Sequence, residues 1–243
     1  MIKGVVLAGG SGTRLRPITK VVSKHLLPVG EKPLIYYPIK TLRDSGIKNI
    51  LIVCGSEHTD QYVKVLGSGR ELGVRLSYAI QQKPIGIAQG LGLARTFVEG
   101  QKVALILGDN LFGDNFKNFV DDFKKKKHGA TVVIKEVSDP HRFGVVKFDK
   151  AGKEIINITE KPKNPSSNWA VTGFYLYDNR VFDVIKTLKP SDRGEYEITD
   201  VNNYYINEGT MDFIKAKKFW IDAGTFDSLH RANTLLRKPQ KLI

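Results

Sequence analysis

Short apolar runs with strand composition alternate with runs of helical periodicity up to residue 107, and this alternation restricts the fold more than any other feature of the chain. Residues 4–8, 50–54, 75–80 and 103–107 read as strands; 33–44, 58–66 and 88–98 read as helices. A strand that must cross to its neighbour through a helix lies parallel to it. The expectation is therefore an α/β fold with a doubly wound, mostly parallel sheet, helices on both faces and ligands at the carboxyl ends of the strands.

Beyond Lys127 the pattern turns strand-rich, at 131–137, 145–148, 155–159 and 171–177, with Ala151-Gly152 marking a hairpin turn. Helical periodicity returns at 180–188 and 197–206, and a last strand ends in Trp220-Ile221-Asp222. No repeat or low-complexity linker interrupts the chain. We expect a single domain over 1–238, with a nucleotide-binding half (about 1–128) merging into a second half (about 129–238), and a tail at 239–243.

With 243 residues, 41% of them apolar, the chain can bury a full core without disulfide or structural metal. Its only cysteine, Cys54, lies in an apolar run and has no second thiol to pair with, which fits a reduced cytoplasm. The opening run of eight residues is too short for a signal peptide's hydrophobic region, and no later stretch reaches 18 apolar residues.

A formal charge of +13 attracts nucleic acid, acidic membranes and small polyanions alike, so its distribution has to discriminate. The densest run, Lys124 to Lys127, ends a helical segment in which Phe116, Phe119, Val120 and Phe123 recur at helical spacing; lysines there are expected to cap the last carbonyls. No basic stripe interleaved with aromatics is present, which leaves small anionic substrates as the expected partners, with neither nucleic acid nor membrane.

Two strands end in loops of unusual composition. The first runs into Gly9, Gly10, Ser11, Gly12, Thr13 and Arg14, where glycines let backbone N–H groups approach a polyphosphate and the arginine neutralises it; the alternative is a plain turn. It is neither a Walker A loop, lacking Gly-Lys-Ser/Thr, nor a dinucleotide fingerprint, lacking the third glycine. Lys24 could add a second cation to the same phosphates or be solvated.

The second loop carries Asp109, after an apolar strand, and Asp222 has the same context further on. Carboxylates so placed suit a hard cation such as Mg²⁺, while a turn or helix cap is the other reading of Asp109; spacing alone does not show that the two meet. The five histidines form no ligand-spaced pair, and Ser11 lacks a nucleophile elbow, so zinc and serine-hydrolase chemistry gain no support.

These residues resemble the sugar-phosphate nucleotidyltransferases through nearly the whole chain. The likeness is carried by Leu7 to Leu15, Lys24 with Leu27-Pro28-Val29, Lys32 to Pro38, Tyr78 to Gln81, Gly108-Asp109-Asn110, Phe143 to Val146, Glu160-Lys161-Pro162, Ala170 to Gly173, Arg193-Gly194-Glu195, Glu197 to Asp200 and Trp220-Ile221-Asp222. The resemblance implies a Rossmann-like fold with a merged sugar-binding subdomain. It also implies Mg²⁺-dependent condensation of a nucleoside triphosphate, dTTP or UTP, with a sugar 1-phosphate such as glucose 1-phosphate, releasing pyrophosphate.

By the same resemblance, Gly9, Gly10, Ser11, Gly12 and Thr13 wrap the triphosphate, with Arg14 and Lys24 holding its charge and Asp109 and Asp222 carrying Mg²⁺. Gln81 and Gly86 contact the base, Lys161 grips the sugar phosphate, and Asn110, Gly144, Glu160, Val171 and Tyr175 line the sugar pocket. A homo-oligomer is compatible with the family.

Three departures bear on this. Phe143 stands where related enzymes carry tyrosine, and Ala223 where they carry threonine. The chain also ends about twenty residues after Asp222, before the helical tail that longer members use for regulation, and it has no hexapeptide repeat of the bifunctional forms. UTP-, CTP- or ATP-using enzymes share the same chemistry. A non-catalytic nucleotide-sugar-binding regulator would keep the pocket and lose the cationic and acidic residues, all of which are present here.

Overall fold

The computed structural model describes residues 1–237; the expected tail, 239–243, lies outside the described residues. Strand β1 (Ile2–Ala8) is followed by the glycine loop, a small ribbon of β2 (Pro28–Val29) and β3 (Lys32–Pro33), and helix α1 (Tyr36–Asp44). Then come β4 (Asn49–Gly55), α2 (Thr59–Leu66), β5 (Arg75–Gln81), α3 (Ile87–Gly92), α4 (Arg95–Val98), β6 (Lys102–Leu107), β7 (Asn110–Phe112) and α5 (Lys117–Lys125). The strand-rich stretch supplies β8 (Ala130–Glu136), β9 (Gly144–Phe148), β10 (Ile155–Glu160) and β11 (Trp169–Tyr177). Helices α6 (Val181–Thr187) and α7 (Ile198–Asn207), strands β12 (Met211–Lys215) and β13 (Trp220–Asp222), and helix α8 (Phe226–Leu236) complete it.

Nine strands form the main sheet in the order β10-β9-β11-β6-β1-β4-β5, with β8 also on β11 and β12 beyond β8. Strands β6, β1, β4 and β5 are mutually parallel, as their helical crossovers require. Alternate side chains of each strand enter separate cores. Val5, Leu51, Val53, Val103 and Leu105 pack with α3, α4, α6 and α7 on one face; Val6, Ile52, Cys54, Ala104 and Ile106 pack with α1, α2 and α5 on the other. Near-continuous apolar strands are what two covered faces demand.

Three local expectations are corrected. The helix expected at 33–44 begins at Tyr36, because Lys32–Pro33 pairs with Pro28–Val29. The helix expected at 88–98 is broken into α3 and α4 at Leu93-Ala94, close to Gly90 and Gly92, which weaken helical propagation. The end of α5 is capped not by its own lysine run but by Lys102, whose ammonium donates to the carbonyls of Phe123, Lys124 and Lys126. Lys124 and Lys125 instead pair with Asp121 and Asp122. Lys126 pairs with Asp212 of β12, so three lysines of the run are engaged in ion pairs.

Where β11 ends, Asp178 is 2% exposed and accepts from the backbone N–H groups of Gly129 and Arg180, from the Arg180 guanidinium and from the Tyr205 hydroxyl. One carboxylate thus joins the starts of β8 and α6 to α7. Replacing Asp178 with alanine leaves the buried Gly129 N–H and Tyr205 hydroxyl without their acceptor, so Asp178→Ala is expected to destabilise the protein by about 2–5 kcal/mol. Urea unfolding followed by circular dichroism measures this.

Candidate functional site

A cleft of about 340 Å³ opens at the carboxyl ends of β1, β5 and β6 and continues across β10, β11 and α7. It is where an α/β sheet binds ligands. Of the residues singled out in the sequence, Gly9, Gly10, Arg14, Lys24, Gln81, Gly86, Asp109, Asn110, Gly144, Glu160, Lys161, Val171, Tyr175 and Asp222 all line it. Ser11 lines an adjoining hollow of about 90 Å³ beside Gly9, Gly10, Lys24 and Gln81. Gly12 and Thr13 line neither; Gly12 takes a left-handed backbone and starts the short 3-10 turn Thr13–Leu15.

Close approach explains two of the glycines. A Cβ on Gly9 would fall 2.1 Å from the Gln81 side-chain oxygen, and one on Gly86, where φ is +120°, 2.4 Å from the Tyr196 carbonyl. Gln81 is buried and oriented by donating to Gln89 Oε1 at 2.6 Å, which leaves its carbonyl oxygen and a second N–H for another partner.

Long-range pairing brings the two aspartates together. Strand β13 lies antiparallel to β7 with Asp222 opposite Asn110, and the Ala223 N–H donates to the Asp109 carbonyl at 2.9 Å. Lys24 Nζ sits 2.5 Å from Asp109 Oδ2, and Asn110 Nδ2 donates to Asp109 Oδ1 at 3.0 Å. The Arg14 guanidinium packs over Gly224: a Cβ there would lie 2.8 Å from both Arg14 Nη2 and Asp222 Oδ1.

This arrangement divides the charges unequally. Burial alone would raise Asp109, but Lys24 and the Asn110 amide outweigh it and hold the carboxyl well below the usual carboxylate range. Asp222 has no direct cationic partner, so burial first and the Asp109 charge second push it up to about 6, against Lys24 and Arg14.

At the other end of the cleft, Glu160 accepts from Thr199 Oγ1 at 2.6 Å and faces Arg193 at 3.4 Å and Lys161 at 3.7 Å. Lys161 holds φ at +41°, rare for a residue with a Cβ, and its N–H donates to the Phe143 carbonyl at 3.0 Å. Phe143 packs on Trp220 with ring centroids 5.0 Å apart, and Trp220 Nε1 donates to Asn110 Oδ1 at 2.6 Å. Asn110 Oδ1 also accepts from the Gly173 N–H, so this oxygen is committed to the protein.

Several lining residues have no role in the sequence reading, although Thr199 and Trp220 lie within its motifs: His25, Arg142, Thr199, Asn202 and Trp220. His25 is buried, its Nδ1 lies 2.8 Å from the Tyr62 hydroxyl, and burial, then Lys24, lower its pKa to about 3, so the ring is neutral. Thr199 and Asn202 are polar residues on the buried face of amphipathic α7, and that irregularity is the signal that could have revealed them.

The family model described as "Nucleotidyl transferase" matches residues 3–238. A glucose-1-phosphate thymidylyltransferase of Neisseria gonorrhoeae is 46% identical over 99% of this chain and 84% of its own length, and one from Xanthomonas campestris pv. campestris is 46% identical over 98% and 81%. A crystal structure of a candidate glucose-1-phosphate thymidylyltransferase from Bacillus anthracis, in complex with sucrose, superposes with a TM-score of 0.93 at 50% identity, covering 98% of this chain and 96% of that one. A UDP-glucose pyrophosphorylase complexed with UDP-glucose gives 0.85 at 26% identity, covering 97% and 98%. With a cleft at the strand ends, two carboxylates under an arginine and a lysine, and likeness along almost its full length, the chain belongs to the nucleotidyl transferase family.

Proposed function

We propose that the protein condenses dTTP with α-D-glucose 1-phosphate, giving dTDP-glucose and pyrophosphate in a Mg²⁺-dependent reaction. The observation that carries this reading is the pair Asp109 and Asp222, joined by the β7–β13 ribbon beside Lys24 and Arg14 at the mouth of the glycine loop. Relatives bearing the thymidylyltransferase name at about 45% identity support the choice of substrates. The lone buried thiol of Cys54 suits a cytoplasmic enzyme, and among the described residues no helix is long and apolar enough to cross a membrane.

The donor set fits a hard divalent cation. Burial, and after it the charge of Asp109, push Asp222 up to about 6, and a divalent cation between the two carboxylates would offset both effects. When bound, Mg²⁺ would neutralise phosphate charge and polarise the α-phosphoryl group.

In our reading, residues 9–13 approach the triphosphate with backbone N–H groups, Arg14 and Lys24 hold its charge, and Gln81 with Gly86 receives the base. Lys161 holds the sugar phosphate, while Asn110, Gly144, Glu160, Val171 and Tyr175 surround the sugar. An unesterified oxygen of the sugar 1-phosphate, already anionic at neutral pH, attacks the α-phosphorus in line. The new P–O bond forms as the bond to the bridging α–β oxygen breaks, and pyrophosphate leaves with that electron pair. No general base is required, so these side chains act by positioning and charge stabilisation. The Gln81 amide matches the imide edge of thymine or uracil, and the single methyl between them is worth only about 1–3 kcal/mol, so UTP is the expected second nucleotide.

Pyrophosphate release measured with Mg²⁺, glucose 1-phosphate and each nucleoside triphosphate in turn tests the reaction. Release should be strongest with dTTP and vanish with EDTA; no release with any nucleotide or common sugar 1-phosphate would favour a nucleotide-sugar-binding regulator. Asp109→Ala should lower turnover by at least about 100-fold while circular dichroism stays unchanged.

The raised pKa of Asp222 also links to stability. Because its folded value lies above the unfolded one, the group favours folding at low pH and loses that contribution as pH rises from about 4 through about 6. The metal-free Asp222→Asn protein should therefore melt at a higher temperature than the parent at pH 8, and calorimetry should show the gain shrinking toward pH 4.

A further inference from the structure

Helix α7 presents Thr199 and Asn202 to the sugar end of the cleft, and Asn202 carries a polar group that the protein itself does not use. Its side chain is fully buried, at 0% exposure, and lines the cleft. The Tyr177 hydroxyl donates to its Oδ1 at 2.6 Å, while Nδ2 has no hydrogen-bond partner among the described residues. Tyr177 is itself immobilised, fully buried and stacked on Tyr175 with ring planes 10° apart, so the amide is held in one orientation. An unpaired buried donor is costly, and native proteins retain one where a ligand completes it.

We infer that Asn202 is a specificity-determining residue of the sugar pocket, its Nδ2 donating to one ring or exocyclic hydroxyl of the sugar 1-phosphate. This rests on the reaction proposed above. The groups that α7 and the tyrosine stack place beside it favour a hydroxyl over a phosphate: Thr199 one turn earlier and Tyr175 line the same cleft and are neutral hydroxyls, and neither is a cation that would hold a phosphate. A hydroxyl can accept from Asn202 and donate to Glu160 or Tyr175, so a single sugar group can satisfy both sides. Tyr177, which bonds the amide and does not itself line the cleft, is a positioning residue.

The test compares wild-type, Asn202→Leu and Tyr177→Phe enzymes on glucose 1-phosphate and on its deoxy analogues, each lacking one hydroxyl. Asn202→Leu should raise the KM for glucose 1-phosphate about tenfold and leave the KM for dTTP within about twofold. For one deoxy analogue the penalty should disappear, because the partner hydroxyl is already gone. Tyr177→Phe should give a smaller rise with the same dependence on that hydroxyl, which keeps the test open if Asn202→Leu does not fold. A penalty equal across all analogues, or none, overturns the inference and leaves the reaction standing. Failure of the wild-type enzyme to turn over any sugar 1-phosphate sinks the reaction, and this inference with it.

Discussion

Two carboxylates held side by side in a poorly hydrated cleft repel each other, and much of the molecule is arranged around keeping them there. Asp109 comes from the end of a buried parallel strand and Asp222 from a short ribbon strand more than a hundred residues later. Lys24 neutralises the first, Arg14 stands over the second, and neither cation cancels the pair. A site so charged is under electrostatic stress. Its stability and its chemistry pull in opposite directions.

The glycine loop and the Asn110 network supply the steric and hydrogen-bonding side of the same constraint. Gly9 allows Gln81 to reach the end of β1, and Gly224 allows the guanidinium of Arg14 to lie against Asp222. Asn110 links three segments: its oxygen receives Gly173 from β11 and Trp220 from β13, and its amide holds Asp109. The end of β6, the middle of β11 and the start of β13 are therefore joined through one buried amide, which leaves little of that side chain for a ligand.

Features of the site written in local pattern were legible in the sequence. Glycines following an apolar strand, an aspartate at a strand end and alternation with helices each depend on neighbours a few residues away, and the sheet and the place of the cleft follow from them; most of the lining, Gln81, Glu160 and Lys161 included, comes from the family resemblance instead. What could not be read is what long-range register decides. That Asp109 and Asp222 meet depends on Asp222 pairing opposite Asn110, and no spacing encodes that. The break between α3 and α4 and the capping of α5 by Lys102 depend on packing against the sheet. Thr199 and Asn202 escaped notice because a polar residue on the inner face of a helix reads as a packing imperfection until the cavity beside it is seen.

Strand β11 has a consequence for how such an enzyme can change. Nine residues long, it bonds to β8 along one side, with a register shift between Val171 and Tyr175, and to β9 and then β6 along the other, and it carries Val171, Gly173 and Tyr175 past the cleft. Because the same strand is structural seam and pocket wall, that wall is not a cassette that can be exchanged whole. New sugar preference in this architecture has to arise by substitution of single side chains around that strand, one contact at a time.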